Sequence, residues 1–352
     1  MIFGVLKSNS VITDVEEAFI TVAQSRGHEA YVFIAKNVDF ENKKIFGKTL
    51  KSGRTVEFHF DFPDIIQNRL SCLPEDKETY LKLADLVPFT NNRIGTKLEV
   101  ERKLEKIPSL TDFLLKSEKV ENFQCILDAL GKYKKIILKP IIGNQGKGIY
   151  TLTRTGGGCI LKQLNEESFL DWDALSDLYE KQIKGKGYVA SRFFESRTQN
   201  GLTTVFRIHL NRGKMGKWQL IKFFPYVTLE GNNDIANGMQ GALISTREKL
   251  FLEQFYPDAY EIIQDKIQFL FKNFTLPFQK QYPYRLDNLG IDLGIDQQGN
   301  VVIFEVNAGA GVGFMAYPVA KANVDYYEWL AVNAKAPFAH NFLPIHLKKK
   351  IS

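Results

Sequence analysis

The stretch from Leu289 to Gly311, LGIDLGIDQQGNVVIFEVNAGAG, decides how this chain is read. Leu289, Ile291, Leu293 and Ile295 alternate with Gly290, Asp292, Gly294 and Asp296, and Val301, Ile303, Glu305 and Asn307 alternate with Val302, Phe304 and Val306. Period two of this kind predicts two strands joined by a tight turn. A turn centred on Gln298 and Gly299 would set Asp292 opposite Glu305, side chains roughly 5 Å apart on one face, with Asn307 following on that face. Two carboxylates and an amide oxygen converging there repel one another unless protons or a cation sit between them. Magnesium suits such a set, since it takes hard oxygen ligands and fills its remaining positions with water and phosphate oxygens. A solvated hairpin face with three ordinary polar residues is the competing reading. Gly290, Gly294, Gly309 and Gly311 weigh against it by leaving room for a ligand between apolar strands.

Around this hairpin lies a chain of 352 residues, 44% hydrophobic, enough for two or three domains with real cores. The net charge of +6 is spread along the chain apart from Lys348, Lys349 and Lys350, so it fits a nucleotide's phosphates as well as a polynucleotide. A nucleic-acid-binding protein has only that charge and tail in its favour, without a recognition helix or an aromatic–basic repeat. Cys72, Cys125 and Cys159 are odd in number and far apart, which suits a reducing compartment and structural roles. No apolar run reaches membrane-spanning length, and the start MIFGVLKSNSV carries no basic leader with a long apolar core, so a cytoplasmic location is expected.

Three regions are expected: 1–90, 91–185 and 186–352. In the first, Ile2 to Leu6, a helix over Asp14 to Arg26 stopped by Gly27, and Ala30 to Ala35 read as a βαβ unit. It ends in PDIIQNRL, where Asp64, Asn68 and Arg69 could brace a loop or together reach a domain interface. The second opens with NNRIGTKLEVERKLEKIP, a capped, charged helix with Ile94, Leu98 and Leu104 as its apolar positions and Pro108 closing it. A helix over Phe123 to Leu130 follows. Then IILKPIIGNQGKGIYTL places Ile137 and Lys139 on one strand face ahead of Gly143, Gly146 and Gly148, and a strand resumes at Ile149. Glycines let backbone N–H groups approach phosphate, and Lys139 and Lys147 add charge; a glycine-rich hairpin without ligand is the alternative. In the third region YVASRFF could run its backbone along an adenine edge. TTVFRIHL puts Val205, Arg207 and His209 on one face, and a turn centred on Lys214 and Met215 would set Lys222 opposite Arg207, a basic pair suited to a phosphoryl group. His209 is read as a neighbour of that site and not its base. A polar loop, GNNDIANGMQGAL, then leads to a helix over roughly Asp258 to Asn273.

The order of these signals, a lysine-bearing helix, a strand ending in KP before a glycine-rich loop, a hinge strand, an arginine strand and then D…EVN, is similar to the ATP-grasp superfamily of carboxylate–amine ligases. Within it, FGVL, YVFIAKNVDF, PDIIQNR and ILKPIIGNQGKGIY resemble the endospore-coat-associated YheC/YheD-like group. The resemblance implies an α/β (α+β) fold in which an N-terminal α/β pre-ATP-grasp domain precedes two α+β subdomains that grip ATP. It implies that Lys97 and Lys139 hold phosphates under a lid containing Gly143, Gln145, Gly146, Lys147 and Gly148. Val189 to Phe194, with Ser191 and Phe193, would line the adenine pocket, Arg207 would neutralise the transferring phosphate beside Lys222, and Asp292, Glu305 and Asn307 would ligate one or two magnesium ions, manganese being an alternative. The implied function is an ATP-dependent ligase, catalytic through Arg207 and Lys139, that joins a small-molecule or peptide carboxylate to an amine through an acyl phosphate, in a chain that could be a homodimer. A nucleotide-binding structural or regulatory protein of a spore coat or cell envelope is the alternative. It draws on two departures, Ser191 in place of a frequent Gln or Glu and Val205 in place of a usual aspartate; Ala308, Gly309 and Ala310 also stand where a small residue followed by Pro-Gly is usual.

Overall fold

A computed structural model describes residues 1–142, 148–163, 166–229, 234, 241–311 and 313–348. Among the described residues the strands form three sheets. The first is built from β1 (Ile2–Lys7), β2 (Glu29–Ile34), β3 (Val38–Asp39), β4 (Lys44–Lys51), β5 (Arg54–Asp61), β6 (Ile65–Asn68) and β7 (Phe89–Thr90), with α1 (Asp14–Ser25) and α2 (Lys77–Leu86) between them. Its order is β3-β4-β2-β1-β6-β7, with β5 outside β4. The expected βαβ unit is present: β1 and β2 run parallel, Phe3 against Ala30 and Val5 against Val32. α1 starts at a capping box in which Thr13 and Glu16 satisfy each other's free backbone donors, and Gly27 lies just beyond its end at φ +76°.

α3 (Lys97–Leu104) leads to the second sheet, made of β8 (Ser117–Val120), β9 (Lys135–Pro140), β10 (Tyr150–Arg154), β11 (Gly158–Gln163), β12 (Glu166–Asp171) and β13 (Tyr188–Arg192), in the order β12-β11-β10-β9-β13-β8. α4 (Phe123–Tyr133) and α5 (Trp172–Leu178) cover one face, where Ile136, Leu138, Leu152, Tyr188 and Ala190 meet Ile126, Leu130 and Leu175. On the other face Lys135, Ile137 and Lys139 stand beside Thr151 and Thr153 of β10 and Val189 and Ser191 of β13. One apolar and one mixed face is what an antiparallel sheet carries when only one side is packed by helices.

The third sheet follows the order β16-β15-β14-β17-β18, from β14 (Thr204–Arg212), β15 (Trp218–Val227), β16 (Leu243–Ile244), β17 (Asn288–Ile295) and β18 (Val301–Ala308). Its core face, including Phe206, Ile208, Leu289, Ile291 and Leu293, packs on α6 (Glu248–Phe255) and α7 (Tyr260–Gln279). α3 is fastened to this same core through Val100 and Leu104, and so travels with the third sheet. Last come α8 (Ala316–Asn333) and α9 (Ile345–Lys348). α8 returns to the first sheet, where Val324, Tyr326, Tyr327 and Leu330 share a core with Phe3, Val5, Phe19 and Ile65.

Four sequence expectations change here. Leu98 is half-buried and Val100 takes the core position, because Thr96 caps the helix and α3 therefore starts at Lys97. α6 is a helix the sequence reading omits, and α7 runs on past Asn273 through Pro277. β13 belongs to the second sheet although it lies beyond residue 186, and both its edges are occupied, by β9 and by β8. The backbone from Tyr188 to Ser191 is thus committed to sheet pairing and has no edge to offer an adenine. The hairpin β14–β15 closes over Gly213 to Lys217, and a bulge between His209 and Leu210 adds a further shift, so Lys222 faces His209 while Arg207 faces Phe224.

Candidate active site

The quoted hairpin forms as expected, with Asp292 opposite Glu305 and Asn307 opposite Gly290. Its turn is held by Asp296, whose Oδ1 accepts the N–H groups of Gln298 (3.0 Å) and Asn300 (2.8 Å). A bulge between Asp292 and Leu293 shifts the register, and this changes which residues share a face. Val301, Ile303 and Val306 all enter the core, so the simple alternation that put Ile303 with Glu305 is broken by the extra residue. Phe304 also turns to the site side. A Cβ on Gly294 would stand 2.3 Å from Phe304 and 2.9 Å from Phe194, so only glycine lets these two rings close over β17.

Beside the hairpin, β14 brings Arg207 against Asp292. Its guanidinium donates twice to that carboxylate, Nε to Oδ1 at 2.7 Å and Nη2 to Oδ2 at 2.8 Å, and once to the Tyr226 hydroxyl at 3.3 Å. Burial would lower the Arg207 pKa, but the bonds and charge of Asp292 outweigh it and raise it. Asn307 Nδ2 donates to Asp292 Oδ2 at 3.3 Å, which leaves its amide oxygen for another partner. Lys97, at the start of α3, reaches Glu305 at 3.8 Å. Burial raises the Glu305 pKa, with Asp292 adding to it and Lys97, Lys139 and Arg207 opposing it. Lys139 reaches the same place from the second sheet: burial and the charge of Lys97 lower its pKa, while Glu101 and Glu305 oppose them.

Glu101 and Tyr226 are absent from the sequence-derived set. Glu101 accepts the Ser117 N–H at 2.6 Å and sits four residues after Lys97, a spacing that puts both on one side of α3. Tyr226 shares the strand parity of Lys222. That lysine is drawn away from Arg207 by Glu248 of α6, at 2.6 Å. Ser191 is buried on the mixed face of the second sheet, and Phe193 lies under the Lys135 ammonium, 3.8 Å from its ring centre. Lys135 also pairs with Asp234 at 3.0 Å. Gly148 has φ +71°, and a Cβ there would stand 2.8 Å from the Tyr188 hydroxyl. Gly143, Gln145, Gly146 and Lys147 lie outside the described residues, as does most of the polar loop over 231–242. His209 is fully buried beside Asn288 (3.3 Å), and burial together with Arg207 pushes its pKa down to about 4, so it is neutral at pH 7.

The donor set fits a small hard cation. Glu305 has only a long contact to Lys97, Asn307 keeps an oxygen, and Asp292 is within the same group, although Arg207 now holds both of its oxygens. Among the described residues no cluster of three or more His, Cys, Asp or Glu side chains is arranged for a metal. No described helix is long and apolar enough to cross a membrane.

A lysine at the start of α3 and another on the second sheet, facing an arginine strand and an acidic hairpin, belong to an ATP-grasp fold, and solved structures agree. The macrocyclase MdnC of Microcystis aeruginosa MRC, bound with its precursor peptide MdnA, superposes with TM-score 0.55 at 10% identity over 95% of this chain and 100% of that one. The Chryseobacterium gregarium RiPP-associated ATP-grasp ligase, in complex with ADP and a leader and core peptide, does so with TM-score 0.53 at 12% identity over 95% and 98%. The family described as YheC/D like ATP-grasp matches residues 86–325, and the chain belongs to it. It is 27% identical over 315 residues to the endospore coat-associated protein YheD of Bacillus subtilis (strain 168), covering 85% of this chain and 68% of that protein.

Proposed function

We propose that the protein is an ATP-dependent carboxylate–amine ligase that activates an acid as its acyl phosphate and passes the acyl group to an amine. The observation that carries this reading is the meeting of Lys97, Lys139 and Arg207 with Asp292, Glu305 and Asn307 between the second and third sheets. A carboxylate becomes a good electrophile only after phosphorylation, and catalysis of that transfer is largely charge stabilisation. Lys97 and Lys139 would hold the nucleotide's phosphates, and Arg207 the group in transfer. A magnesium ion held by Glu305, Asn307 and Asp292 would offset charge on phosphate oxygens. The Phe193 ring and the backbone beyond Ser191 are proposed to contact the base, in place of β13 itself.

Thermal unfolding with magnesium and ADP tests the site. Saturation at about a hundred times the dissociation constant adds roughly 2.7 kcal/mol to stability. The shift should need magnesium and vanish in Glu305→Ala; phosphate release with acid and amine panels then tests turnover, which Lys139→Ala should abolish. A second reading, a nucleotide-binding coat or envelope component without turnover, is favoured by the full engagement of Arg207 by Asp292 and by the coat association of the Bacillus relative. Magnesium-dependent ADP binding with no phosphate release against any acid–amine pair would support that second reading.

A further inference from the structure

Between the first sheet, the start of α8 and the loop after β18 lies a cavity of about 70 Å³ lined by none of Lys97, Lys139, Arg207, Asp292, Glu305 and Asn307. Its floor is the end of β6 with the residue that follows, Asn68 and Arg69; Ala316 and Asn323 of α8 form one wall and Ala310 another. The cavity backs onto the reacting centre. A Cβ placed on Gly290 would stand 2.8 Å from the Ala310 methyl and 3.5 Å from Arg207 Nε.

What this cavity offers a ligand is donors and positive charge. Asn68 is fully buried; its Oδ1 accepts the Leu70 N–H at 3.0 Å, which fixes the amide's orientation, and its Nδ2 has no hydrogen-bond partner among the described residues. A buried donor without an acceptor is costly, and a ligand oxygen would remove that cost. Among the described residues Arg69 has one ion-pair partner, Glu16, at 3.5 Å, and Lys7 holds the other oxygen of Glu16 at 2.7 Å. Two cations thus share one carboxylate. Among the described residues, the first turn of α8 carries no acid and no capping side chain, and no Asp or Glu lines the cavity. A water needs roughly 10–15 Å³ of such space, so the cavity has room for about five to seven waters, enough for a carboxylate and the atoms that carry it.

We propose that this cavity binds the carboxylate end of the acid substrate, with Asn68 and Arg69 as its specificity determinants. This rests on the ligase reading above and adds to it where the acid enters. The probe pair is iodoacetate and iodoacetamide, equal in size and different in charge, acting on a thiol introduced by Ala316→Cys, with Cys125 on α4 as the internal reference. Iodoacetate should be favoured over iodoacetamide about tenfold more at the introduced thiol than at Cys125, as about 1.4 kcal/mol of ion pairing requires. Arg69→Met should return the ratio to that of Cys125 and Arg69→Lys should restore part of it; N-acetylglycine should protect the thiol where N-acetylglycinamide does not. A ratio equal to that at Cys125, a preference indifferent to Arg69→Met, or protection by orthophosphate alone overturns the proposal. Ala320→Cys, on the same wall, replaces Ala316→Cys should that variant not fold. The magnesium–ADP stability shift is read in every variant. Its absence with the anion preference intact refutes the ligase reading and not the anion site, and its presence without the preference refutes this inference alone.

Discussion

Glu305→Gln is the most informative single change, because it keeps shape and removes one charge from a site in which three cations face two carboxylates. Lys97 lies 3.8 Å from Glu305. At an effective dielectric constant near 20, unit charges at that distance interact by about 4 kcal/mol. Glu305 is 34% exposed, so solvent screening reduces this to about 1–2 kcal/mol. The variant therefore frees Lys97 for an anion, and metal-free ADP should bind roughly tenfold more tightly than to the native protein. With magnesium the direction reverses, since a charged oxygen ligand is gone and the cation brings less of its charge to the phosphates. Calorimetric titration of ADP at pH 8, once in EDTA and once in magnesium, gives both numbers. Loss of the magnesium benefit together with tighter metal-free binding is expected. An unchanged ratio between the two conditions, or weaker binding in EDTA, would refute the assignment of Glu305 to both Lys97 and the metal.

Lys139 should impose an upper pH limit on metal-free ADP binding. Burial and Lys97 lower its pKa, so its charge is present below that value and lost as pH rises through it, earlier than for an ordinary lysine. Affinity measured from pH 7 to 10 should fall accordingly, and Lys139→Arg, which keeps its charge, should flatten the profile. His209 should make the fold acid-sensitive. Its pKa lies at about 4 when folded against 6.5 unfolded, so its contribution is fully present above pH 6.5 and is lost as pH falls toward 4, by about 3 kcal/mol in all. Chemical denaturation of His209→Gln across that range should show a shallower acid loss, and an identical slope would contradict the assignment. Gly294→Ala should destabilise by about 1–3 kcal/mol, because the new methyl meets Phe304 and Phe194; an unchanged denaturation midpoint would contradict the packing described.

The parts of this molecule that could be read from the chain are those with a local signature. The βαβ opening, the KP strand and the EVN hairpin each announce themselves by periodicity, and all are found. Bulges have no such mark. One extra residue at Asp292/Leu293 turns Val301 and Ile303 into the core alongside Val306, and another at His209/Leu210 parts Lys222 from Arg207. The double occupation of β13 was equally hidden, since β8 and β13 are separated by some 70 residues and pair only in space. So was the capture of Asp292 by Arg207, across 85 positions. Asn68 and Arg69 could be noticed within PDIIQNRL, but nothing nearby shows that α8 would close a cavity over them.

That closing helix also sets an order of events during synthesis. The first sheet emerges complete by Thr90, yet one of its covering layers is α8, made some 225 residues later. At roughly 5–20 residues per second the interval is some ten to fifty seconds, during which Phe3, Val5 and Ile65 face water or a chaperone where Tyr327 will lie. The second sheet draws its core from residues 120–190 alone and can fold in that interval. On the ribosome the first segment made is therefore among the last to finish folding.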